Sequence, residues 1–122
     1  MVLVIAQILT ALVAIEHLYI LWIEMFAWET AGKRAFNIIP EDLFKPTKGM
    51  AANQGLYNGF LAAGLIWSFL ISDINWAENI RLFFLGCVIV AGIYGAITAS
   101  KKIFFIQALP AIIALIFVLY AS

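Results

Sequence analysis

The sequence predicts an all-α polytopic membrane protein, in which a four-transmembrane-helix bundle forms one membrane domain over residues 1–122. Its composition is the first reason, since 66% of the residues are hydrophobic and only 11% are charged. Soluble domains average about 45–50% apolar and about 25% charged residues. A soluble chain of this size would bury only about 60–70% of its unfolded surface, which is too little to hide so much apolar area.

Four long apolar runs are the second reason, and they cover about residues 2–28, 50–71, 80–99 and 103–120. A helix needs about 20 apolar residues to cross the hydrocarbon core of a bilayer. The runs lack the two-residue alternation of membrane β-strands and are about twice as long. The first run has no basic region before it and no small-residue cleavage site after it, so we expect a span rather than a signal peptide.

The distribution of basic residues predicts the orientation, because lysine and arginine are enriched in cytoplasmic loops. Six of the seven basic residues fall in the loop 29–49 or the short loop 100–102, namely Lys33, Arg34, Lys45, Lys48, Lys101 and Lys102. Only Arg81 falls on the other side. We therefore expect a multi-pass protein of the cytoplasmic (inner) membrane with both termini external. The net charge is zero and no large basic patch is present, so we expect no nucleic-acid partner.

The long loop 29–49 alternates apolar and basic residues, and Pro40 is followed by two acidic residues. Proline suits the first turn of a helix and acids suit its positive end. We therefore expect a short helix that lies at the cytoplasmic membrane surface. An anchored connector and a lid over a cytoplasmic cleft remain alternative interpretations of this loop.

Three ionisable residues interrupt the first span, namely Glu16, His17 and Glu24. Charged groups near the middle of a span cost about 2.5–3.5 kcal/mol on translocon scales and usually face the interior of a bundle. His17, Glu24 and Trp28 share one helical face, whereas Glu16 lies about 100° around the helix. Glu16 could exchange protons or be a neutral acid bonded to another helix. His17 could be a ligand, a proton relay or a core residue.

The second span begins with three amides within six residues, Asn53, Gln54 and Asn58. At about 1.5 Å per residue, Glu24 is level with the first two amides and His17 with the third. We therefore predict a polar pocket that is open to the cytoplasm. Its predicted binding residues are Glu16, His17, Glu24, Trp28, Asn53, Gln54, Tyr57 and Asn58. One histidine and one cysteine (Cys87) cannot build a histidine-rich metal site or an internal disulfide, so we expect no metal and no cofactor.

Small residues recur at four-residue spacing in two spans, which is typical of helices that pack closely. Gly55 and Gly59 form such a pair in the second span. The third span repeats the spacing with Ala91, Gly95 and Ala99. We therefore expect close helix packing at both places.

The residues 16–19, 24–28 and 53–64, together with Phe36, resemble the small bacterial membrane proteins grouped as domain of unknown function 1304. The resemblance covers essentially the whole chain, and residues 53–64 are its most specific part. It implies a four-helix inner-membrane protein and no known activity. Small multidrug transporters also have four helices and an essential glutamate in the first, which Glu16 resembles in position only; this is an analogy of architecture.

Three functions remain open. The first is a homo-oligomeric, proton-coupled transporter or binder of a small cationic or amphipathic molecule. The second is an accessory subunit that docks on another membrane protein within the lipid bilayer. The third is a membrane enzyme that acts on a lipid or quinone-like substrate, although the chain contains no recognised nucleophile, phosphate-loop or metal-ligand motif.

Overall fold

The computed structural model describes all 122 residues and contains helices and no strands. The all-α class is therefore confirmed. The elements in chain order are α1 (Val2–Phe26), α2 (Ala31–Ala35), a 3₁₀ turn (Glu41–Leu43), α3 (Lys48–Leu70), α4 (Ile74–Thr98), a π-helical segment (Phe104–Ala108) and α5 (Leu109–Ala121).

Three helical stretches are long and apolar enough to cross a membrane, and these suggest a membrane protein. They are α1, α4 and the continuous stretch Phe104–Ala121, with mean hydropathies of 1.9, 2.2 and 2.4. α3 has 23 residues and is long enough, but Lys48 and the amides of its first half make it more polar. The fourth span therefore remains a prediction.

α4 begins at Ile74, well before the apolar run that starts at residue 80. The Asp73 carboxylate accepts hydrogen bonds from the backbone N–H groups of Asn75 and Trp76, both at 3.0 Å. Such a cap satisfies donors that the first turn leaves without partners. The expected loop 72–79 is consequently much shorter, and Arg81 lies about two turns inside the helix. Hydropathy alone missed this boundary because three polar or charged side chains between residues 75 and 79 interrupt the first two turns of α4.

The connection between α1 and α3 contains more structure than the sequence predicts. The expected helix start after Pro40 is a single 3₁₀ turn at Glu41–Leu43, and α2 precedes it. Thr47 closes the connection, since its Oγ1 donates a hydrogen bond to the backbone oxygen of Leu43 at 2.7 Å.

The chain divides into two compact units, each with its own core. The first unit comprises residues 1–15 and 61–122, and the second comprises residues 16–60. The core of the first unit is built from Ala6, Val13, Ala14, Leu65, Leu85, Val88, Ala111, Ala114 and Val118. The core of the second unit is built from Ile23, Ala27, Trp28, Ala31, Phe44 and Ala51. Alanine recurs in both cores, which allows helix axes to approach closely.

A close backbone approach in the first unit is between α4 and the π-helical segment. A Cβ atom at Gly92 would lie 2.7 Å from both the Cβ and the backbone nitrogen of Ala108, and one at Gly95 would lie 3.0 Å from Ile103 Cγ2. Ala91 and Ala99 are exposed. The expected close packing of this helix is therefore present at Gly95, but its second small residue is Gly92 rather than either alanine.

We predict that Gly92→Ala lowers the thermal stability of the protein in detergent, whereas Gly86→Ala in the same helix raises it. Gly86 has no neighbour within 4 Å of an added Cβ, and replacing a helical glycine by alanine gains about 0.5–1 kcal/mol. At Gly92 the methyl group meets the backbone of Ala108, and overpacking of this kind costs about 1–3 kcal/mol. Melting temperatures that rise equally in both variants would contradict the close approach.

Candidate functional site

A carboxyl–amide pair joins α1 to α3 in the second unit. Glu24 is only 2% exposed, and the Asn58 side-chain nitrogen donates a hydrogen bond to Glu24 Oε1 at 2.6 Å. This distance is short for an N–H···O hydrogen bond. The structure therefore brings together two of the residues that the sequence predicts for the pocket.

The backbone of α3 comes close enough for this bond because Gly55 faces α1. A Cβ at Gly55 would lie 2.9 Å from Glu24 Cβ and 3.2 Å from the backbone oxygen of Leu21. One turn further along α3, Gly59 faces the end of the Leu21 side chain. The predicted glycine pair thus marks the close approach of α1 and α3, and the polar pair lies beside it.

His17 and Glu16 lie about two turns before Glu24 on α1. His17 is fully buried, which fits its place on the same helical face as Glu24. Glu16 is half-buried, yet its Oε1 atom is shielded from the surroundings and accepts no hydrogen bond from the protein. Because a buried polar atom without a partner costs about 1–3 kcal/mol, Glu16 Oε1 marks a position where a donor from outside the chain would be favourable.

Trp28 holds the connection between α1 and α3 in place. Its ring centroid lies 4.9 Å from that of Phe44 and 5.4 Å from that of Phe36. Its indole N–H donates a hydrogen bond to Thr47 Oγ1 at 3.0 Å. Trp28 is among the binding residues predicted from the sequence, whereas Thr47 is not. The structure gives both residues a part in anchoring this segment.

The other predicted binding residues, Asn53, Gln54 and Tyr57, are exposed on α3. Asn53 donates a hydrogen bond to the backbone oxygen of Gly49 at 3.1 Å, one turn back along its own helix. The structure does not bring these three side chains to Glu24. The estimate of depth placed Glu24 beside the first two amides, whereas the carboxyl bonds to Asn58, about one turn further along α3.

Rotation about α3 accounts for the difference. With about 100° per residue, Asn58 lies about 60° from the inward-facing Gly55. Gln54 lies about 100° away, and Asn53 and Tyr57 lie about 160° away. Matching depth without matching rotation therefore assigned too many amides to one pocket.

We predict that Trp28→Phe destabilises the protein by at least about 1 kcal/mol, the typical net value of one hydrogen bond. Thr47→Val should destabilise it by about 2 kcal/mol, because it also removes the bond from Thr47 to the backbone oxygen of Leu43. The double variant should cost about 1 kcal/mol less than the sum of the two single losses, because both substitutions remove the bond between Trp28 and Thr47. Thr47→Ser, which keeps the hydroxyl group, is the matched control. Unfolding of the four variants in detergent measures the coupling, and fully additive losses would show that the two side chains act independently.

Comparison with known proteins identifies the family but no activity. Residues 11–119 match the family model described as Protein of unknown function (DUF1304). The chain is similar to the uncharacterized protein YpaA of Lactococcus lactis subsp. lactis (strain IL1403), with 39% identity over 111 residues that cover 89% of this chain and 92% of the relative. No solved structure matches the chain significantly. The resemblance predicted from the sequence is confirmed, and the chain belongs to the DUF1304 family.

Proposed function

We propose that the protein is an integral membrane protein that binds a small cationic or amphipathic molecule at Glu24 and transports it with proton coupling. The burial of Glu24 carries this proposal. The two ion pairs of the chain join Lys33 to Glu41 and Lys48 to Glu29, and neither includes Glu24. Its carboxyl group is instead held by the neutral amide of Asn58.

A buried carboxyl group with an amide as its hydrogen-bond partner can accept either a proton or a cation. Leaving a carboxylate without compensating charge in apolar surroundings is costly. A proton and a bound cation would satisfy the same oxygen atoms, so they compete. Competition of this kind is the physical basis of coupled exchange across a membrane.

The proposed setting is the cytoplasmic membrane, with four spans, both termini external and the connection between α1 and α3 on the cytoplasmic side. The three apolar helices support a membrane location. The concentration of basic residues in two loops supports the orientation. In this arrangement Glu24, close to the end of α1, would lie near the cytoplasmic side of the membrane.

Glu16 supports an assembly of more than one copy. Its shielded Oε1 atom accepts no hydrogen bond within the chain, and a neighbouring copy or a bound ligand could supply the donor. One chain of this length offers little room for a transport path, which also favours a homo-oligomer.

An accessory role in a larger membrane complex is the second candidate, and the exposed face of α3 favours it. Asn53, Gln54 and Tyr57 lie on the outside of this helix, where amide groups would be penalised in contact with hydrocarbon. Another membrane protein could satisfy them. In that case substitution of the exposed amides, rather than of Glu24, would release the partner.

We predict that Glu24→Gln weakens binding of the lipophilic cation tetraphenylphosphonium at least tenfold, since the substitution removes the negative charge at the proposed binding residue. Asn58→Ala should weaken binding less, because the carboxyl group remains. Glu41→Gln is the control, as that carboxyl group is 84% exposed. Equilibrium dialysis with purified protein measures the affinity. Equal binding by Glu24→Gln and the wild type would refute the proposed site.

We predict opposite labelling of two single cysteines in a Cys87→Ser background. Cysteine at residue 122 should react with a membrane-impermeant maleimide on intact cells. Cysteine at residue 45 should react only after the membrane is opened, because basic loops stay in the cytoplasm. Labelling of residue 45 on intact cells would reverse the orientation and place the polar site on the external side.

A further inference from the structure

The first unit contains a cleft of about 210 Å³ that is separate from the residues of the proposed site. It lies where the beginnings of α1 and α4 meet the ends of α3 and α5. Its polar lining consists of Gln7, Ser68, Ser72, Glu78 and Arg81. Arg81 is the one basic residue outside the two basic loops.

Arg81 lies in the wall of this cleft, where it is 6% exposed and held by several contacts. Its Nε donates a hydrogen bond to Ser68 Oγ at 3.1 Å, and its Nη2 donates to the Ser68 backbone oxygen at 3.4 Å. The Phe69 ring centroid lies 4.6 Å from the guanidinium carbon. Ser68 is fixed in turn, since its hydroxyl group donates to the Leu65 backbone oxygen at 2.6 Å.

The guanidinium group has more donors than these contacts use. Arginine carries five N–H groups in a planar fork, and the two hydrogen bonds to Ser68 occupy two of them. Neither ion pair of the chain includes Arg81. A buried guanidinium group without a carboxylate in contact, at the wall of a cleft, is suited to an anion that accepts two hydrogen bonds, as phosphate does.

Glu78 gives the cleft a second, opposite charge. It precedes Arg81 by one turn of α4, lines the same cleft and interacts electrostatically with the guanidinium group without forming an ion pair. The Glu78 carboxylate would repel a doubly charged anion bound at Arg81 and so weaken its binding. They complement a zwitterion in which a phosphodiester and an ammonium group are close together.

The surroundings of the cleft match the headgroup region of a bilayer. Trp76 and Tyr120, near the beginning of α4 and the end of α5, are 62% and 81% exposed. Tryptophan and tyrosine are enriched at this depth in membrane proteins. Leu3 and Ile74 line the cleft and are largely exposed, so they offer an apolar rim to acyl chains.

We propose that this cleft binds the headgroup of phosphatidylethanolamine, with the phosphodiester on Arg81 and the amine beside Glu78. The acyl chains would extend over the apolar rim. A soluble phosphodiester with the same amine, such as glycerophosphoethanolamine, shares the polar chemistry but lacks the acyl chains. Tighter binding of the lipid than of glycerophosphoethanolamine would therefore show that the acyl chains bind the apolar rim.

The test is native mass spectrometry of the delipidated full-length protein with phosphatidylethanolamine, phosphatidylglycerol and phosphatidylcholine of identical acyl chains. We expect the wild type to retain phosphatidylethanolamine at least fivefold over the other two lipids. Arg81→Met should abolish this retention, and Arg81→Lys should weaken it because lysine lacks the planar fork. Arg34→Gln, at an exposed position of the second unit, should leave it unchanged.

Glu78→Gln provides a measurement that a purely structural role of Arg81 would not affect. We expect this variant to prefer phosphatidylglycerol over phosphatidylethanolamine by at least threefold, because the acidic partner of the amine is lost while the phosphate contact remains. Equal retention of the three lipids by the wild type would overturn the proposal. An unchanged preference of Glu78→Gln for phosphatidylethanolamine would also overturn it. So would displacement of bound phosphatidylethanolamine by glycerophosphoethanolamine as effectively as by free lipid.

Discussion

In a chain this apolar, a polar side chain buried without a partner costs several kcal/mol, and that penalty constrains how the helices pack. The buried hydroxyl groups meet the constraint locally. Thr10 donates a hydrogen bond to the backbone oxygen of Ala6 at 2.7 Å, and Ser68 does the same to Leu65. These bonds stay within one helix, so they place no restriction on the neighbouring helix.

Larger polar groups cannot be satisfied in this way, and they fix the register between helices. Within the second unit Glu24 of α1 bonds to Asn58 of α3, and within the first unit Arg81 of α4 bonds to Ser68 of α3. Sliding either helix by one turn would leave a charged group buried without its partner. Leaving a buried donor or acceptor unsatisfied costs about 1–3 kcal/mol, and more for a charged group, which is a large share of the stability of a domain. Small residues such as Gly55 then permit the approach that these bonds require.

The sequence predicts features that depend on composition and spacing along the chain. The helical class, the turn after Pro40 and the close approach at Gly55 and Gly59 all follow from local patterns. Hydrogen-bond partners on different helices cannot be predicted in this way, because they depend on the angle of each side chain about its helix as well as on its depth. Rotation is why Asn53 was placed too near to Glu24, whereas Asn58 was placed too deep through an error of about one turn in the relative depth of α1 and α3. Arg81 was placed at the very start of the third span, rather than two turns inside α4, because the capping role of Asp73 is invisible to hydropathy.

Glu16 is the exception to the constraint, and its chemistry distinguishes the functional alternatives. A hydrogen bond from a ligand would satisfy Oε1 only while the ligand is bound, so the cost of about 1–3 kcal/mol would be paid in the empty state and recovered on binding. A bond from a second copy would satisfy it permanently and make stability depend on protein concentration. Replacement of Glu16 by glutamine or leucine therefore separates the two cases. If a ligand supplies the donor, Glu16→Leu is more stable but loses affinity for the ligand. If a second copy supplies it, Glu16→Leu no longer assembles.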